Sequence, residues 1–427
     1  MAPGTVEQTD TVDATASLRA YLNASPSPWH AVESTVALLA DAGFVRLDER
    51  EPWTDIPATG FVARGGALIG WRRPTTGSPR SARIVGAHTD SPGLRLKPNP
   101  QIARAGWHQL GVEVYGGVLL NSWLDRDLGV AGRLVLADGS AVLLRVDQPV
   151  ARVPQLAIHL DRDVNERGLV LDRQQHLAPV WATDPGLDLV DWLQVASGAD
   201  APPAWWELCL FDVQPAAVLG ADRSLLASGR LDNQVSCWAA TTALVEATPG
   251  DDLAVIALFD HEEVGSASTT GAAGPFLASV LERLHEAGGG TREAFHRLLA
   301  GSSCVSADNA HAVHPNYPER HDPEHAPLVN RGPAIKVNAS QHYASSAVTA
   351  QQFALAAERA GVPVQTFVSH NNVPCGSTIG PLTATRLGIA TVDVGVPQLS
   401  MHSARELCGV RDPVWLAAAL GEYLTVE

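Results

Sequence analysis

Two adjacent glutamates, Glu262 and Glu263, follow directly after an apolar run at residues 253–259. This run predicts a buried strand, so both carboxylates should lie at the end of that strand. Two carboxylates held this close repel each other unless a cation or a shared proton relieves the repulsion. Because neighbouring side chains leave an irregular strand end in different directions, one glutamate could bind a metal ion while the other takes a proton from water.

Further residues that could bind a metal follow other apolar runs or begin a helical pattern: His88, Asp90, Asp232, Asp308 and His402. The carboxyl ends of parallel strands meet at one edge of a sheet, so we expect these side chains to lie near the two glutamates. For Asp232 the alternative is a helix N-cap, which is a common role of aspartate. Carboxylates and imidazoles without thiolates are typical of Zn, Mn or Co sites with open coordination positions. Two such ions about 3.5 to 4 Å apart would support hydrolysis of an amide or an ester.

Repeated strand, loop and helix patterns contain these residues. They occur both before and after a region whose sequence pattern is different. The repeats predict an α/β fold with a mostly parallel sheet flanked by helices. Between residues 97 and 219, short or alternating apolar runs are interrupted by Gly, Asp and Pro, and Asp138-Gly139 is a hairpin turn signal. We therefore predict a catalytic domain formed by residues 1–96 and 220–427, with an inserted β-rich domain at residues 97–219.

The composition excludes several classes of partner. A formal net charge of -16 argues against nucleic acid or an anionic membrane as the main partner, because both favour a basic protein surface. The five cysteines are scattered and include no C-x-x-C pair, which is typical of reduced thiols in a cytoplasm. The N-terminus has no signal-peptide pattern, and no run approaches the ~18 apolar residues of a membrane span. We therefore expect a soluble cytoplasmic protein.

Seven short blocks carry a more specific signal: residues 27–32 (SPWHAV), 88–92 (HTDSP), 156–160 (LAIHL), 229–233 (GRLDN), 260–265 (DHEEVG), 306–317 (SADNAHAVHPNY) and 401–406 (MHSARE). In this order, and along nearly the whole chain, they resemble the aspartyl aminopeptidase family of metallopeptidases. The resemblance implies a dinuclear metal-dependent aminopeptidase that acts on peptides with a free N-terminus and prefers Asp or Glu as the first residue.

The resemblance also assigns the candidate metal ligands. It implies one ion bound by His88, Asp232 and Asp308, and a second bound by Asp232, Glu263 and His402, so that Asp232 bridges the two. The expected cofactors are two divalent ions per chain. We expect zinc, with manganese or cobalt as the alternatives, because oxygen and nitrogen ligands accept all three.

The remaining catalytic residues follow from the same resemblance. Glu262 would act as the general base and then as the general acid, and Asp90 would support His88. The inserted domain would form a dimer, and six dimers would form a tetrahedral dodecamer in which a histidine of the insert reaches the neighbouring active site. His159 is the matching position. Its alternative role is that of a structural histidine on a strand.

The predicted substrate pocket contains Lys336, His342 and Tyr343. Lys336 aligns with the family lysine expected to meet an acidic side chain, although its strand position also permits a surface role. His342 stands where the family commonly has arginine. Other functions compatible with the sequence are a dinuclear aminopeptidase of broader specificity, a carboxypeptidase or deacylase on a similar scaffold, and a catalytically silent shell or binding protein.

Overall fold

The N-terminal part of the chain begins the sheet that positions the candidate site. The structure of the chain is a computed structural model, which describes residues 7–74, 77–248 and 250–425. The elements of the N-terminal part are α1 (Glu7–Ala24), α2 (Pro28–Asp41), β1 (Val45–Arg46), β2 (Thr59–Arg64), β3 (Ala67–Arg72) and β4 (Ala82–His88). Helix α2 starts at Pro28, directly after Ser27, as the punctuation of the sequence predicts.

A separate antiparallel sheet, here called the second sheet, follows β4. Its segment of the chain contains β5 (Gly93–Arg104), β6 (Trp107–Tyr115), β7 (Leu128–Val135), β8 (Ala141–Ala151), α3 (Val164–Arg167), β9 (Val180–Ala182), α4 (Leu189–Ser197) and β10 (Trp205–Asp212). The strand order is β8-β7-β10-β5-β6-β9. The hairpin of β7 and β8 turns at Gly139, whose φ of 84° is readily adopted by glycine. The second sheet thus spans Gly93 to Asp212, so it begins four residues before the segment at 97–219 that the sequence predicts to be β-rich and ends within that segment.

The C-terminal part returns to alternating strands and helices. Its elements are β11 (Ala217–Leu219), β12 (Leu225–Ser228), α5 (Leu231–Glu246), β13 (Leu253–Phe259), α6 (Phe276–Ala287), α7 (Arg292–Gly301), β14 (Ser303–Ala307), β15 (Ala310–His311), β16 (Ala334–Val337), α8 (Ala347–Arg359), β17 (Gln365–Val368), α9 (Ile379–Leu387), β18 (Ala390–Gly395), β19 (Pro397–Leu399), β20 (Glu406–Gly409) and α10 (Asp412–Thr425).

The central sheet has the strand order β1-β2-β3-β13-β4-β14-β18-β16-β17. Its middle strands β13, β4, β14 and β18 are parallel, whereas β3 and β16 run antiparallel to their neighbours in that group. Helices cover both faces: α1, α2, α5, α8 and α10 supply side chains to one core, and α6, α7 and α9 supply them to the other. The predicted α/β fold with a mostly parallel, helix-flanked sheet is therefore confirmed.

The register of the parallel strands brings their carboxyl ends together. Strand β13 is buried along its whole length, as its uninterrupted apolar sequence predicts, and its last residue, Phe259, lies opposite His88 of β4. Strand β14 continues the same edge, since Ser306 pairs with Gly86 of β4. The residues that follow β4, β13 and β14 therefore emerge at one place.

A third sheet, of order β11-β12-β20-β19-β15, closes this edge. Strands β19 and β20 are antiparallel, and the loop between them contains His402. A residue more than 90 positions after Asp308 in sequence is thus brought to the same edge by the return of the chain from β18.

Two features differ from the sequence expectations. Helix α1 falls in a segment with a polar start, for which no helix is predicted, and it is held by burial of Leu18, Tyr21 and Leu22 against the main core. Residues Ile158–Leu160 form a 3₁₀ turn, so the interpretation of His159 as a strand residue is wrong.

Among the described residues, no helix combines the length and apolar character needed to cross a membrane.

Candidate metal centre

His88 lies at the end of β4, with its buried imidazole facing three carboxylates. Its Nε2 is 3.5 Å from Asp232 Oδ1, 3.7 Å from Asp308 Oδ1 and 4.0 Å from Glu262 Oε2. Its Nδ1 is 3.0 Å from the carbonyl oxygen of Asp90, and since a carbonyl can only accept, Nδ1 carries a proton. Nε2 is therefore the nitrogen that can bind a metal ion.

A second group of ligand atoms shares Asp232 with the first. His402 Nε2 lies 3.4 Å from Asp232 Oδ2 and 3.4 Å from Glu263 Oε1. Asp232 thus presents one oxygen to each histidine. The ligand atoms of His88, Asp232 and Asp308 lie within 4.8 Å of one another, and so do those of Asp232, Glu263 and His402. The structure brings together all five residues that the sequence suggests as ligands.

Both groups have the properties that a divalent cation requires. Asp232 Oδ1 and Glu263 Oε1 are buried and accept no hydrogen bond from any described residue, which is costly for anionic oxygens. Burial alone would lower the pKa of His402, but Asp232 and Glu263 raise that pKa to about 10, so the cluster attracts positive charge. Two groups of carboxylate and imidazole donors that share one aspartate fit a pair of ions of the zinc type.

Glu262 and Glu263 occupy a 3₁₀ turn, Glu262–Val264, directly after β13. The side chain of Glu262 is 13% exposed, and burial raises its pKa to about 7. A cation nearby would lower this value. Glu262 also forms a third possible ligand group with His88 and Glu263. Its position beside both ligand groups suits a carboxylate that exchanges protons with a reactant.

Asp90 fixes the turn that carries the two glutamates. Its Oδ1 accepts the backbone N–H of Glu262 at 3.1 Å, and its Oδ2 accepts the N–H of Glu263 at 3.1 Å. Oδ2 also accepts the hydroxyl of Tyr115 at 2.7 Å. The contact of the Asp90 carboxylate with His88 Nδ1 is longer, at 3.5 Å. Sequence reasoning connected Asp90 with His88 alone and missed Tyr115, which comes from the second sheet.

Glu406 is a second residue whose role the sequence did not reveal. Its buried carboxylate accepts the backbone N–H of Asp232 at 2.9 Å and that of His402 at 2.7 Å. Burial raises the pKa of Glu406 to about 8. Glu406 lies in the sequence block MHSARE, and this block was the only available signal. Through Glu406, the backbones of two candidate ligands are tied to each other.

The strained backbone around the centre includes three non-glycine residues that are candidate ligands or lie within two residues of one. Arg230, His261 and His402 have φ of 60°, 65° and 66°, in the left-handed region. Each such residue costs of the order of 1–3 kcal/mol and persists only where the surrounding structure enforces it. The carboxylate oxygens of Asp232 face His88 and His402 and accept no backbone N–H group of α5 among the described residues, so the N-cap interpretation of Asp232 is wrong.

The residues predicted for the substrate pocket lie in different environments. Lys336, on β16, is 2% exposed, and its Nζ lies 3.2 Å from the carbonyl oxygen of Asn309 and 3.4 Å from Asp308 Oδ2. The ammonium group also stands 4.9 Å from the ring centroid of Tyr343, which is buried, whereas His342 is exposed. The surface role that the sequence permits for Lys336 is therefore wrong. Lys336 is a buried cation beside a candidate metal ligand.

The side chain of His159 forms no hydrogen bond or ion pair with the other predicted site residues. It lies exposed in the 3₁₀ turn, and its side chain makes no hydrogen bond or ion pair with any described residue. A role in catalysis would therefore depend on another copy of the chain.

Comparisons with known proteins identify what this chain is similar to. The sequence profile of the family "Aminopeptidase I zinc metalloprotease (M18)" matches residues 21–196 and 201–423. The chain is 52% identical, over 416 residues, to the "Probable M18 family aminopeptidase 2" of Streptomyces coelicolor, with 95% of this chain and 96% of that protein covered.

Solved structures show the same similarity in three dimensions. Ape4, in the cryo-EM structure of the Ape4 and Nbr1 complex, is 33% identical with a TM-score of 0.94, covering 99% of this chain and 87% of that chain. The S. cerevisiae mApe1 dodecamer is 27% identical with a TM-score of 0.84, covering 96% of each chain. The similarity in both sequence and structure thus extends over almost the whole chain.

Proposed function

This chain belongs to the M18 family of zinc metalloaminopeptidases and is a metal-dependent aminopeptidase, and we propose that it removes single N-terminal residues, preferentially Asp or Glu, from peptides. The observation that carries the proposal is the sharing of Asp232 between two groups of ligand atoms, with Glu262 beside them. A catalytically silent shell would have no reason to keep buried, unpaired carboxylate oxygens at this point.

The proposed metal ligands are those that the geometry groups together. His88, Asp232 and Asp308 would hold one ion, and Asp232, Glu263 and His402 would hold the other. When bound, zinc ions lower the pKa of water and stabilise negative charge on the scissile carbonyl oxygen. Manganese or cobalt would suit the same donors.

Glu262 supplies the proton transfer. Its carboxylate would accept a proton from the attacking water and later return it to the amine of the departing peptide. Asp90 holds the backbone of Glu262 through a 3.1 Å hydrogen bond, so the carboxylate starts from a fixed position. Glu406 and Asp90 together restrain the backbones of three candidate ligands, namely Asp232, Glu263 and His402.

The proposed preference for acidic residues depends on Lys336, with His342 and Tyr343 completing the pocket. Lys336 supplies a positive charge 3.4 Å from Asp308, next to the proposed metal centre. The same contact favours a second candidate function, a dinuclear aminopeptidase of broader specificity. An ammonium group that is already paired with Asp308 and Asn309 has fewer hydrogen bonds free for a substrate carboxylate.

A substrate panel separates the two candidates. Zinc-loaded protein is assayed with aminoacyl p-nitroanilides and matched short peptides that begin with Asp, Glu, Leu or Ala. We expect the highest kcat/KM for Asp and Glu, and in Lys336→Met a selective loss for these two. Faster cleavage of Leu than of Asp and Glu would reject the acidic preference and support the broader enzyme.

We also propose that second-sheet contacts form dimers, that six dimers form a tetrahedral dodecamer, and that the protein acts in the cytoplasm. Three exposed apolar side chains lie within three residues of His159, namely Leu156 (58%), Ile158 (46%) and Leu160 (75%), and Val170 (84%) is exposed later in the same segment. Such a surface is typical of a subunit contact. The five cysteines are all free, as expected in a reducing cytoplasm.

His159→Phe tests the contribution of a neighbouring subunit. We expect kcat to fall while zinc content and the mass of the assembly stay unchanged, because the side chain would act across the interface. Elemental analysis and mass photometry check the last two quantities. Unchanged kinetics would show that His159 has no role at the neighbouring site.

A further inference from the structure

The last residue of β6, Tyr115, reaches from the second sheet to the candidate metal centre. It is 9% exposed, and its hydroxyl donates a 2.7 Å hydrogen bond to Asp90 Oδ2. The guanidinium of Arg95 stacks on the Tyr115 ring, 3.5 Å from its centroid. The ring is therefore held in one orientation by a neighbour on the adjacent strand β5.

Through Asp90, this hydrogen bond acts on both glutamates. The two oxygens of Asp90 accept the backbone N–H groups of Glu262 and Glu263, each at 3.1 Å. The hydroxyl of Tyr115 is the third donor to this carboxylate, and hydrogen bonds to an ionised acceptor are stronger than those between neutral groups. The hydroxyl thus helps to fix the carboxylate that in turn holds the turn of the proposed ligand and the proposed base.

Gly116 and Gly117, which follow Tyr115 in the sequence, lie beside the proposed ligands Glu263 and His402. The Gly117 carbonyl accepts a hydrogen bond from His402 Nδ1 at 3.0 Å, which leaves Nε2 directed at Asp232 and Glu263. A Cβ at Gly117 would lie 3.1 Å from His402 Nδ1. At Gly116, where φ is +73°, a Cβ would lie 3.1 Å from Glu263 Cβ. Any larger residue would push against a proposed ligand.

We propose that Tyr115-Gly116-Gly117, which consists of the last residue of β6 in the second sheet and the two glycines after it, is a positioning segment for the metal centre. It orients the Glu262–Val264 turn through Asp90, and it fixes the tautomer and the direction of His402. The inference rests on the proposed metal centre and adds that this centre is complete only when the second sheet is docked against the catalytic core. Partners that orient metal ligands in this way typically contribute 10- to 100-fold to metal affinity.

Zinc affinity tests the role of Tyr115 independently of peptidase activity. Competition with a chromophoric chelator measures the two dissociation constants in the full-length protein. For Tyr115→Phe we expect zinc to bind at least about 10-fold more weakly than in the wild type. We also expect kcat to fall by a larger factor than KM changes. The matched control is Tyr423→Phe, because the Tyr423 hydroxyl pairs with Ser303 at 2.6 Å in the core of the catalytic sheet. We expect wild-type zinc affinity for this control.

A glycine variant tests the contact with His402. In Gly117→Ala we expect weakened binding of at least one zinc ion, whereas Gly421→Ala should bind zinc as the wild type does, because a Cβ at Gly421 meets nothing within 4 Å. Circular dichroism confirms that each variant is folded. Wild-type zinc affinity in both Tyr115→Phe and Gly117→Ala would overturn the positioning role while leaving the metal centre intact. A wild-type protein that binds no zinc would overturn the metal centre, and this proposal with it.

Discussion

Replacing Lys336 by methionine should destabilise the metal-free protein far more than the zinc-loaded protein. The side chain of Lys336 is 3% exposed, and methionine can occupy a similar volume without a charge. The substitution removes the ammonium group that lies 3.4 Å from Asp308 Oδ2 and 3.2 Å from the Asn309 carbonyl. It leaves a buried carboxylate without its cation.

The size of the effect follows from these contacts. Two unit charges 3.4 Å apart attract each other by about 5 kcal/mol at an effective dielectric constant of about 20. Desolvation of the ammonium group offsets part of this attraction, and breaking one side of a buried pair typically costs about 3–5 kcal/mol. When zinc is bound beside Asp308, the ion takes over the neutralising role, so the loss should shrink by more than half.

Urea denaturation, with chelator or with excess zinc, measures both values. Lys97→Met is the matched control, because Lys97 donates only an exposed hydrogen bond to Gln174 through its side chain. We expect this control to differ from the wild type by less than about 1 kcal/mol in either condition. If Lys336→Met unfolds at the same urea concentration as the wild type without zinc, the Lys336–Asp308 pair contributes nothing to stability and our reasoning is wrong.

Three further predictions concern separate parts of the structure. Glu262→Gln should keep both zinc ions and lose about 10²- to 10⁴-fold in kcat, because only the proton acceptor is removed; wild-type turnover would show that the base is misassigned. Asp232→Ala should bind fewer than two zinc ions per chain, and elemental analysis that finds two would contradict the bridging role. Burial lowers the pKa of His30 to about 4. The unfolded chain therefore binds more protons than the folded one, and stability should fall by about 3 kcal/mol as pH drops from about 6.5 to about 4. In His30→Asn, denaturation midpoints measured across this range should lose that pH dependence, and an unchanged pH profile would refute the assignment.

Much of the fold could be predicted because local apolar runs in the sequence indicate its strands. The apolar run at residues 253–259 is the buried strand β13, and residues 303–307 are strand β14. Polar residues directly after such runs, including Glu262 and Asp308, must emerge at the carboxyl edge of a parallel sheet. This geometry gathers His88, Glu262, Glu263 and Asp308, whereas Asp232 comes from the start of α5 and His402 from the loop between β19 and β20.

Helix α1 and the turn at His159 could not be read in the same way. The helix is held by contacts of Leu18, Tyr21 and Leu22 with a core built from distant segments. The apolar residues around His159 are exposed, so no core contact of this chain holds the segment as a strand. Both outcomes depend on whether distant segments pack against the residues concerned, which the local pattern does not show.

The sequence by itself determined which residue types were available for chemistry and which strands carry them. Only the tertiary structure decided that Lys336 is buried against Asp308, that Glu406 ties Asp232 to His402, and that Tyr115 reaches Asp90 from the second sheet. The physical reason is that strand periodicity and burial are local properties of a segment. The direction in which a polar side chain finds its partner depends instead on how segments far apart in sequence pack against each other.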